Sequence, residues 1–171
     1  RHGVIFAPEN KDVTIFPGKI GGMYMAFNRP VPSAIGGPEM WLAKSPDLIH
    51  WGEQKHFCGL SKDSERWDNG RIGGGAVPFL TDKGWGKIST RPDNRYCLGA
   101  FLLDKDDPSH ILARTREPIL QPEAEYERNG FFGNVVFTCG CLLEGSDVVI
   151  YYGAADDKIC RVDIPLQDIF D

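Results

Sequence analysis

The sequence contains no apolar run long enough to cross a membrane, which takes about 18 residues, and no block of basic residues. Acidic residues outnumber basic ones, 24 to 19, so the net charge is −5. The sequence offers no cluster of basic residues that would bind nucleic acid. We therefore expect neither nucleic acid nor a membrane as a partner.

Common catalytic and cofactor signatures are also absent. The sequence has no C-x-x-C pair, no G-x-S-x-G elbow and no nucleotide-binding glycine loop, and its four histidines lack metal spacing. We therefore expect no metal and no cofactor. Five cysteines, an odd number, indicate small buried thiols in a reducing compartment, so we predict a cytoplasmic location.

Short apolar runs between turn residues dominate what is present. Gly and Pro, 20 and 12 of 171 residues, exceed their usual combined share of about 12%. The runs are rich in Val, Ile, Phe and Tyr, which is typical of an all-β protein. The predicted strands are 13–16, 23–27, 40–44, 76–80, 96–103, 134–139 and 147–152. Tight turns are predicted at 21–22 and 144–147, and a helix at 165–170.

A weak internal repeat leaves two all-β architectures open. Residues 41–45, 111–115 and 159–163 each place one basic residue in an apolar stretch before a proline-containing loop. Units of about 40–50 residues built from several strands favour the blades of a β-propeller. A β-sandwich with irregular loops predicts the same local pattern, so the pattern alone does not decide between them.

Four clusters place charged residues at predicted strand ends or beside glycine. Lys11 and Asp12 precede a strand and could hold an anion or a sugar hydroxyl. Arg29 follows a strand, and its forked guanidinium suits phosphate or carboxylate. Arg71 precedes three successive glycines, which indicate positive φ or a close backbone approach. Asp156 ends a run of small residues and could bind paired hydroxyls. Solvated turns and surface ion pairs are the alternative explanation.

Aromatic residues add a possible sugar-binding element. Trp41, Trp51, Trp67 and Trp85 could stack on sugar rings, although core packing explains such residues as well.

These clusters belong to a longer series of motifs. In chain order the motifs are NKD (10–12), FP (16–17), KI (19–20), RP (29–30), SPDLIHW (45–51), GRIGGGAVP (70–78), YCLGAFLLD (96–104), DPS (107–109), NVVF (134–137) and YYGAAD (151–156). Together, over nearly the whole chain, they resemble glycoside hydrolase family 130, the β-mannoside phosphorylases and hydrolases.

The resemblance implies a five-bladed β-propeller of roughly twice this length. We therefore expect residues 1–171 to form the carboxyl-terminal part of a single propeller domain, about three blades, beginning inside it. Family members cleave β-mannosidic bonds with inversion; the attacking group is phosphate, which gives mannose 1-phosphate, or water. The implied partners are a β-mannoside oligosaccharide and inorganic phosphate as co-substrate. Exposed strand edges also favour pairing with another half or with a second copy, as a homo-oligomer.

The resemblance also assigns roles to residues. Inversion needs a proton donor and a nucleophile on opposite faces of the sugar, and a phosphate nucleophile needs cations to hold it. The implied phosphate-binding residues are Lys11, Asn28 and Arg29. The implied substrate-binding residues are Asp12, Arg71 and Asp156.

The chain departs from the family pattern in two places. Asn28 replaces the histidine of His-Arg-Pro, and Ser89-Thr90 follows the Gly-Trp strand where phosphorylases usually have Tyr-His-Gly. Both expected histidines near phosphate are therefore missing, and Arg91 is a candidate substitute.

The general acid of the family, an Asp in its amino-terminal half, has no counterpart here, so no catalytic residue is assigned and negligible turnover is expected of the isolated chain. A non-catalytic carbohydrate-binding propeller fragment is an alternative function. A β-rich interaction domain, whose glycines and aromatic residues are purely structural, is another.

Overall fold

The computed structural model describes residues 3–62, 67, 69–92 and 95–170, and it is mostly β. The strands form three antiparallel sheets, which follow one another along the chain. Because each sheet uses strands that are neighbours in sequence, its pairing is local. The predicted predominance of β structure is confirmed.

The first sheet contains four strands in sequential order. They are β1 (Asn10–Ile15), β2 (Tyr24–Pro30), β3 (Met40–Ser45) and β4 (Gly52–Cys58). Between β1 and β2, Gly21 and Gly22 have φ of 58° and 82°, inside a turn flanked by bridged Ile20 and Met23. Positive φ at both central residues is what a tight hairpin turn of this kind needs, so the predicted turn is confirmed.

The second sheet has the order β5-β7-β8-β9, with β6 also paired to β7. Its strands are β5 (Gly73–Gly74), β6 (Phe79–Thr81), β7 (Gly84–Pro92), β8 (Tyr96–Leu103) and β9 (Ile111–Arg114). Strand β8 is buried on both faces. Phe101 and Leu103 pack with residues of the first sheet, whereas Leu98 and Ala100 pack with residues of the third.

The third sheet contains β10 (Val136–Glu144), β11 (Asp147–Ala154) and β12 (Lys158–Pro165). Helix α1 (Glu125–Arg128) precedes it and helix α2 (Leu166–Phe170) follows it. Helix α2 confirms the predicted carboxyl-terminal helix, but Pro165 ends β12 instead of starting the helix. In the described part of the chain, neither helix has the length and apolar character needed to cross a membrane.

Two hydrophobic clusters hold the sheets together. The first lies between the first and second sheets and includes Phe27, Met40, Phe101 and Leu103. The second lies between the second and third sheets and includes Ile88, Leu98, Val148 and Ile150. The second sheet is therefore the middle layer, and its residues contribute to both clusters.

Six elements were not among those predicted from the sequence: β4, β5, β7, β9, β12 and α1. Strand β4 begins with five exposed residues, because it forms the outer edge of its sheet and its polar side chains face solvent. In β7, Gly84, Gly86 and Lys87 interrupt the apolar pattern. Helix α1 is a single four-residue turn, too short to show a helical period.

We predict that Leu103→Ala lowers the free energy of unfolding by about 2–5 kcal/mol, because a fully buried leucine leaves a cavity between two sheets. Leu112→Ala is the matched control: Leu112 is 47% exposed, and its loss should cost less than about 1 kcal/mol. Urea denaturation of both variants measures the difference. Equal costs would contradict the placement of Leu103 in the core.

Candidate functional site

A buried ion pair joins β1 to β2. Lys11 lies directly opposite Arg29, and a β-bulge follows at Asp12, whose φ is 54°. Asp12 Oδ2 lies 3.3 Å from Arg29 Nε, and these two side chains are only 15% and 10% exposed. Lys11 is exposed. Three of the predicted site residues therefore meet at this bulge.

Arg29 Nε is enclosed by the protein. It lies beside the Asp12 carboxylate as an ion pair, and among the described residues it has no hydrogen-bond partner. The exposed ammonium of Lys11, on the residue opposite Arg29, adds a second positive charge. Two cations to one carboxylate is a charge balance that suits an oxyanion.

Burial and charge act in opposite directions on Asp12. Burial raises the pKa of Asp12 above 3.8, whereas the nearby cations Arg29, Lys11 and Lys87 act to lower it. Burial has the larger effect. The surrounding cations therefore favour the ionised form of a carboxylate that burial disfavours.

The three successive glycines allow the sheets to approach closely. A Cβ at Gly73 would overlap the Asp12 carboxylate, one at Gly74 the Asp12 carbonyl, and one at Gly75 the Thr138 side chain. None of the three has a left-handed φ, so close approach is the reason for them. Arg71 lies two residues before Gly73 in the sequence.

Lys87 lies buried behind the bulge. Its Nζ donates hydrogen bonds to Thr14 Oγ1 at 2.9 Å and to the Ala76 carbonyl at 2.5 Å. Burial lowers the pKa of Lys87 to about 7. The sequence analysis did not identify Lys87, because a lysine within a strand is usually solvent-exposed.

Arg71 and Asp156 line two adjacent clefts. The Arg71 cleft has a volume of about 490 Å³ and the Asp156 cleft about 340 Å³. Both are lined by Tyr96 and by Phe132, which is 57% exposed. Arg95 and Asn134 complete the polar lining of the first cleft. The geometry combines charged groups with aromatic rings, as sugar sites commonly do.

Asn28 lies beside Arg29, but its amide is used within the sheet. Its Oδ1 accepts a hydrogen bond from Asn10 at 3.0 Å, and its Nδ2 donates to Gln54 at 3.2 Å. Asn10 Oδ1 also accepts the Arg29 backbone N–H. This polar ladder fixes the β2 backbone at Arg29, and a phosphate contact by Asn28 stays a prediction. The Arg91 side chain lies outside the described part of the chain.

A buried carboxylate, that of Glu127, holds the segment that leads to Phe132. Glu127 Oε2 accepts the Glu123 and Ala124 backbone N–H groups, both at 2.8 Å, and Oε1 accepts the Tyr152 hydroxyl at 2.7 Å. Burial raises the pKa of Glu127, but these hydrogen bonds outweigh it and the pKa is lowered. Since Val135 N–H bonds to the Glu127 carbonyl, the residue ties the loop of Phe132 to β11.

The tryptophans do not line the clefts. Trp67 donates to the Arg116 carbonyl and packs on Gly99, and Trp85 is buried in the first hydrophobic cluster. Trp41 contacts His56 and Trp51 contacts Phe6. The aromatic residues that line the clefts are Tyr96, Phe132 and Phe137, and the sequence pattern did not distinguish them from core residues.

Comparison with known proteins identifies proteins whose sequences are similar to that of this chain. The sequence model of the family described as beta-1,4-mannooligosaccharide phosphorylase matches residues 5–171. The beta-1,2-mannobiose phosphorylase of Listeria innocua is 48% identical over 169 residues, covering 98% of this chain and 47% of that protein. The 1,2-beta-oligomannan phosphorylase of a Thermoanaerobacter species is 39% identical over 171 residues, covering 99% of this chain and 55% of that protein.

A solved structure of one of these relatives also matches the fold of this chain. The structure of the Listeria innocua beta-1,2-mannobiose phosphorylase in complex with beta-1,2-mannobiose matches with a TM-score of 0.93 at 47% identity. The match covers 98% of this chain and 48% of that one. The chain spans about half the length of the curated relatives it matches.

We predict that Glu127→Gln lowers the free energy of unfolding by about 1–3 kcal/mol at pH 7, because two backbone N–H groups lose a charged acceptor. Because the pKa of Glu127 is lower in the folded state, its ionised carboxylate stabilises the fold above pH 4.5, the unfolded value. This stabilisation is lost as the pH falls through the folded pKa. The cost should therefore shrink at pH 4 and below.

Urea denaturation at pH 7 and at low pH measures this dependence. Glu125→Gln is the matched control, because Glu125 lies on the same helix and is exposed. A cost for Glu127→Gln that does not change with pH would contradict the role of the carboxylate charge.

Proposed function

Since the chain belongs to glycoside hydrolase family 130, we propose that it forms the phosphate site and part of the sugar site of a β-mannoside phosphorylase. The reaction is attack of phosphate on the anomeric carbon with inversion, which releases mannose 1-phosphate and the remaining sugar. Among the linkages named for its relatives, β-1,2 is the first to test, because the relatives at 48% and 39% identity act on β-1,2-mannosides by name.

The observation that supports phosphorolysis is the buried Arg29 guanidinium. It is ion-paired with Asp12 and lies on β2 opposite the exposed cation Lys11 of β1, so two cations meet one carboxylate here. Phosphate brings its own negative charge, so the protein has to supply cations to hold it. A water nucleophile would instead need a carboxylate base on the far face of the sugar.

The adjacent clefts support sugar binding. A carboxylate such as Asp156 accepts hydrogen bonds from neighbouring hydroxyls of a mannose ring, and Arg71 donates to ring or bridging oxygens. Tyr96 and Phe132 offer apolar faces against which a sugar ring packs. In this proposal the two clefts hold the mannoside, and the Arg29 site holds its attacking anion.

We further infer that the three sheets are blades of a propeller. The first strand of the first and second sheets, β1 and β5, meet at Asp12 and Gly73, and Gly75 after β5 meets Thr138 of β10. First strands that meet at a common centre are characteristic of propeller blades. Closed rings usually have four to eight blades, so the remaining blades and the general acid lie outside these 171 residues in this proposal.

Binding measurements test the two sites separately. We expect the chain to bind phosphate and β-1,2-mannobiose by calorimetry. Arg29→Gln should weaken phosphate binding about tenfold or more, because a charged donor is lost, while Arg161→Gln, on the outer strand of the third sheet, leaves it unchanged. Asp156→Asn should weaken mannobiose binding, and the neighbouring Asp157→Asn should not. Wild-type chain that binds neither ligand would refute the proposal.

We expect the isolated chain to bind its ligands without catalysing the reaction. Without a general acid the 171-residue chain should bind phosphate yet release no mannose 1-phosphate from β-1,2-mannobiose. Chromatographic detection of mannose 1-phosphate, with and without phosphate, measures this. Phosphate-dependent release by this polypeptide would show that the acid lies within it.

A further inference from the structure

Lys87 is a fully buried cation on the apolar face of the second sheet. It lies in β7 between residues of the first hydrophobic cluster, opposite Phe101 of β8. An isolated buried ammonium is costly, because it loses its hydration, and it persists only where neighbouring groups compensate. The neighbours of Lys87 therefore indicate what its charge does.

Those neighbours come from several strands. Nζ donates to Thr14 Oγ1 of β1 and to the Ala76 carbonyl, and it lies 5.6 Å from the centre of the Phe27 ring of β2. The hydrogen bonds and the ring orient the ammonium from different sides. Its position is thus set by the packing of the first sheet against the second.

The charged and titratable groups that interact with Lys87 are few. Asp12 of β1 favours its protonated form, and Cys141 of β10 is the other titratable neighbour. Burial raises the pKa of Cys141 to about 11, so this thiol stays neutral near pH 7. Asp12 is therefore the one carboxylate through which the Lys87 charge acts among the described residues.

The charge of Lys87 changes the balance of charges at the bulge. Arg29 is ion-paired with Asp12, and Lys11 and Lys87 also favour its ionised form; below pH 7, where Lys87 is protonated, three positive charges therefore act on one negative charge. Without the Lys87 charge, the Asp12 carboxylate offsets a larger share of the remaining positive charge. The positive electrostatic potential at the position of a bound anion therefore falls.

We propose that Lys87 is a charge-balancing and positioning residue of the anion site: its buried ammonium offsets the Asp12 carboxylate and leaves Arg29 and Lys11 to hold the phosphate. The role in phosphate binding rests on the proposed function, whereas the coupling of Lys87 to Asp12 does not. Lys87 itself does not contact the anion, and it acts through Asp12.

This arrangement makes anion binding sensitive to pH near neutrality. Burial lowers the pKa of Lys87 to about 7, so its charge is lost as pH rises from 6 to 9. Sulfate is the appropriate tetrahedral probe, because it does not titrate in this range. We expect the affinity of the wild-type chain for sulfate to fall over that interval.

The first experiment measures the Asp12 pKa by carboxyl carbon NMR in the wild-type chain, Lys87→Met and Lys87→Gln. Both substitutions remove the attraction between ammonium and carboxylate, so the pKa of Asp12 should rise by about 0.5 or more in each. Gln keeps hydrogen-bonding capacity toward Thr14 and Ala76, and Met does not. Lys55→Met, at an exposed lysine on β4, is the matched control and should leave the Asp12 pKa unchanged.

The second experiment measures sulfate binding at pH 6 and pH 9 by calorimetry. Both Lys87 variants should bind sulfate about fivefold more weakly than wild type at pH 6 and should lose the decline between pH 6 and 9. An Asp12 pKa equal in all three chains would overturn the inference, as would a Gln variant that behaves like wild type. A rise in the Asp12 pKa without any sulfate binding would support the coupling and count against the proposed phosphate site.

Discussion

The close contact between the bulge at Asp12 and the backbone of Gly73 and Gly74 is the constraint on which the candidate site depends. Any Cβ at these glycines would occupy the space of Asp12, so the two sheets can meet only where side chains are absent. The contact brings β1, β2 and β5 together and places the ion pair of Asp12 and Arg29 close to the segment of Arg71. Segments that are distant in the sequence thereby come into contact.

Electrostatic balance sets the chemical character of the bulge. Burial disfavours the Asp12 carboxylate, and the cations around it favour the ionised form. The cations exceed the carboxylate in number, so the bulge keeps a positive potential that suits an oxyanion. The neighbouring clefts have a different character, since Tyr96 and Phe132 supply apolar faces beside polar groups. The bulge and the clefts therefore differ in chemical character.

Much of this could be predicted from the sequence because the signals are local. Short apolar runs predicted most of the strands, and the paired glycines predicted the turn at Gly21-Gly22. The family motifs identified Lys11, Arg29, Arg71 and Asp156 as candidate site residues. Strand β4 escaped prediction because an edge strand needs no apolar face toward solvent. For the tryptophans the sequence left sugar stacking and core packing open, and the described contacts of Trp67 and Trp85 are with the protein itself.

By itself, the sequence determined the mostly β class, the family and the residue types of the site, since composition, periodicity and motif order are properties of the chain alone. Only the tertiary structure decided which groups meet. Lys87 is chemically an ordinary lysine until two sheets enclose it, and Glu127 becomes a structural acceptor only when Tyr152 packs against its loop. The physical reason is that desolvation and hydrogen bonding depend on neighbours far apart along the chain, which no local pattern encodes.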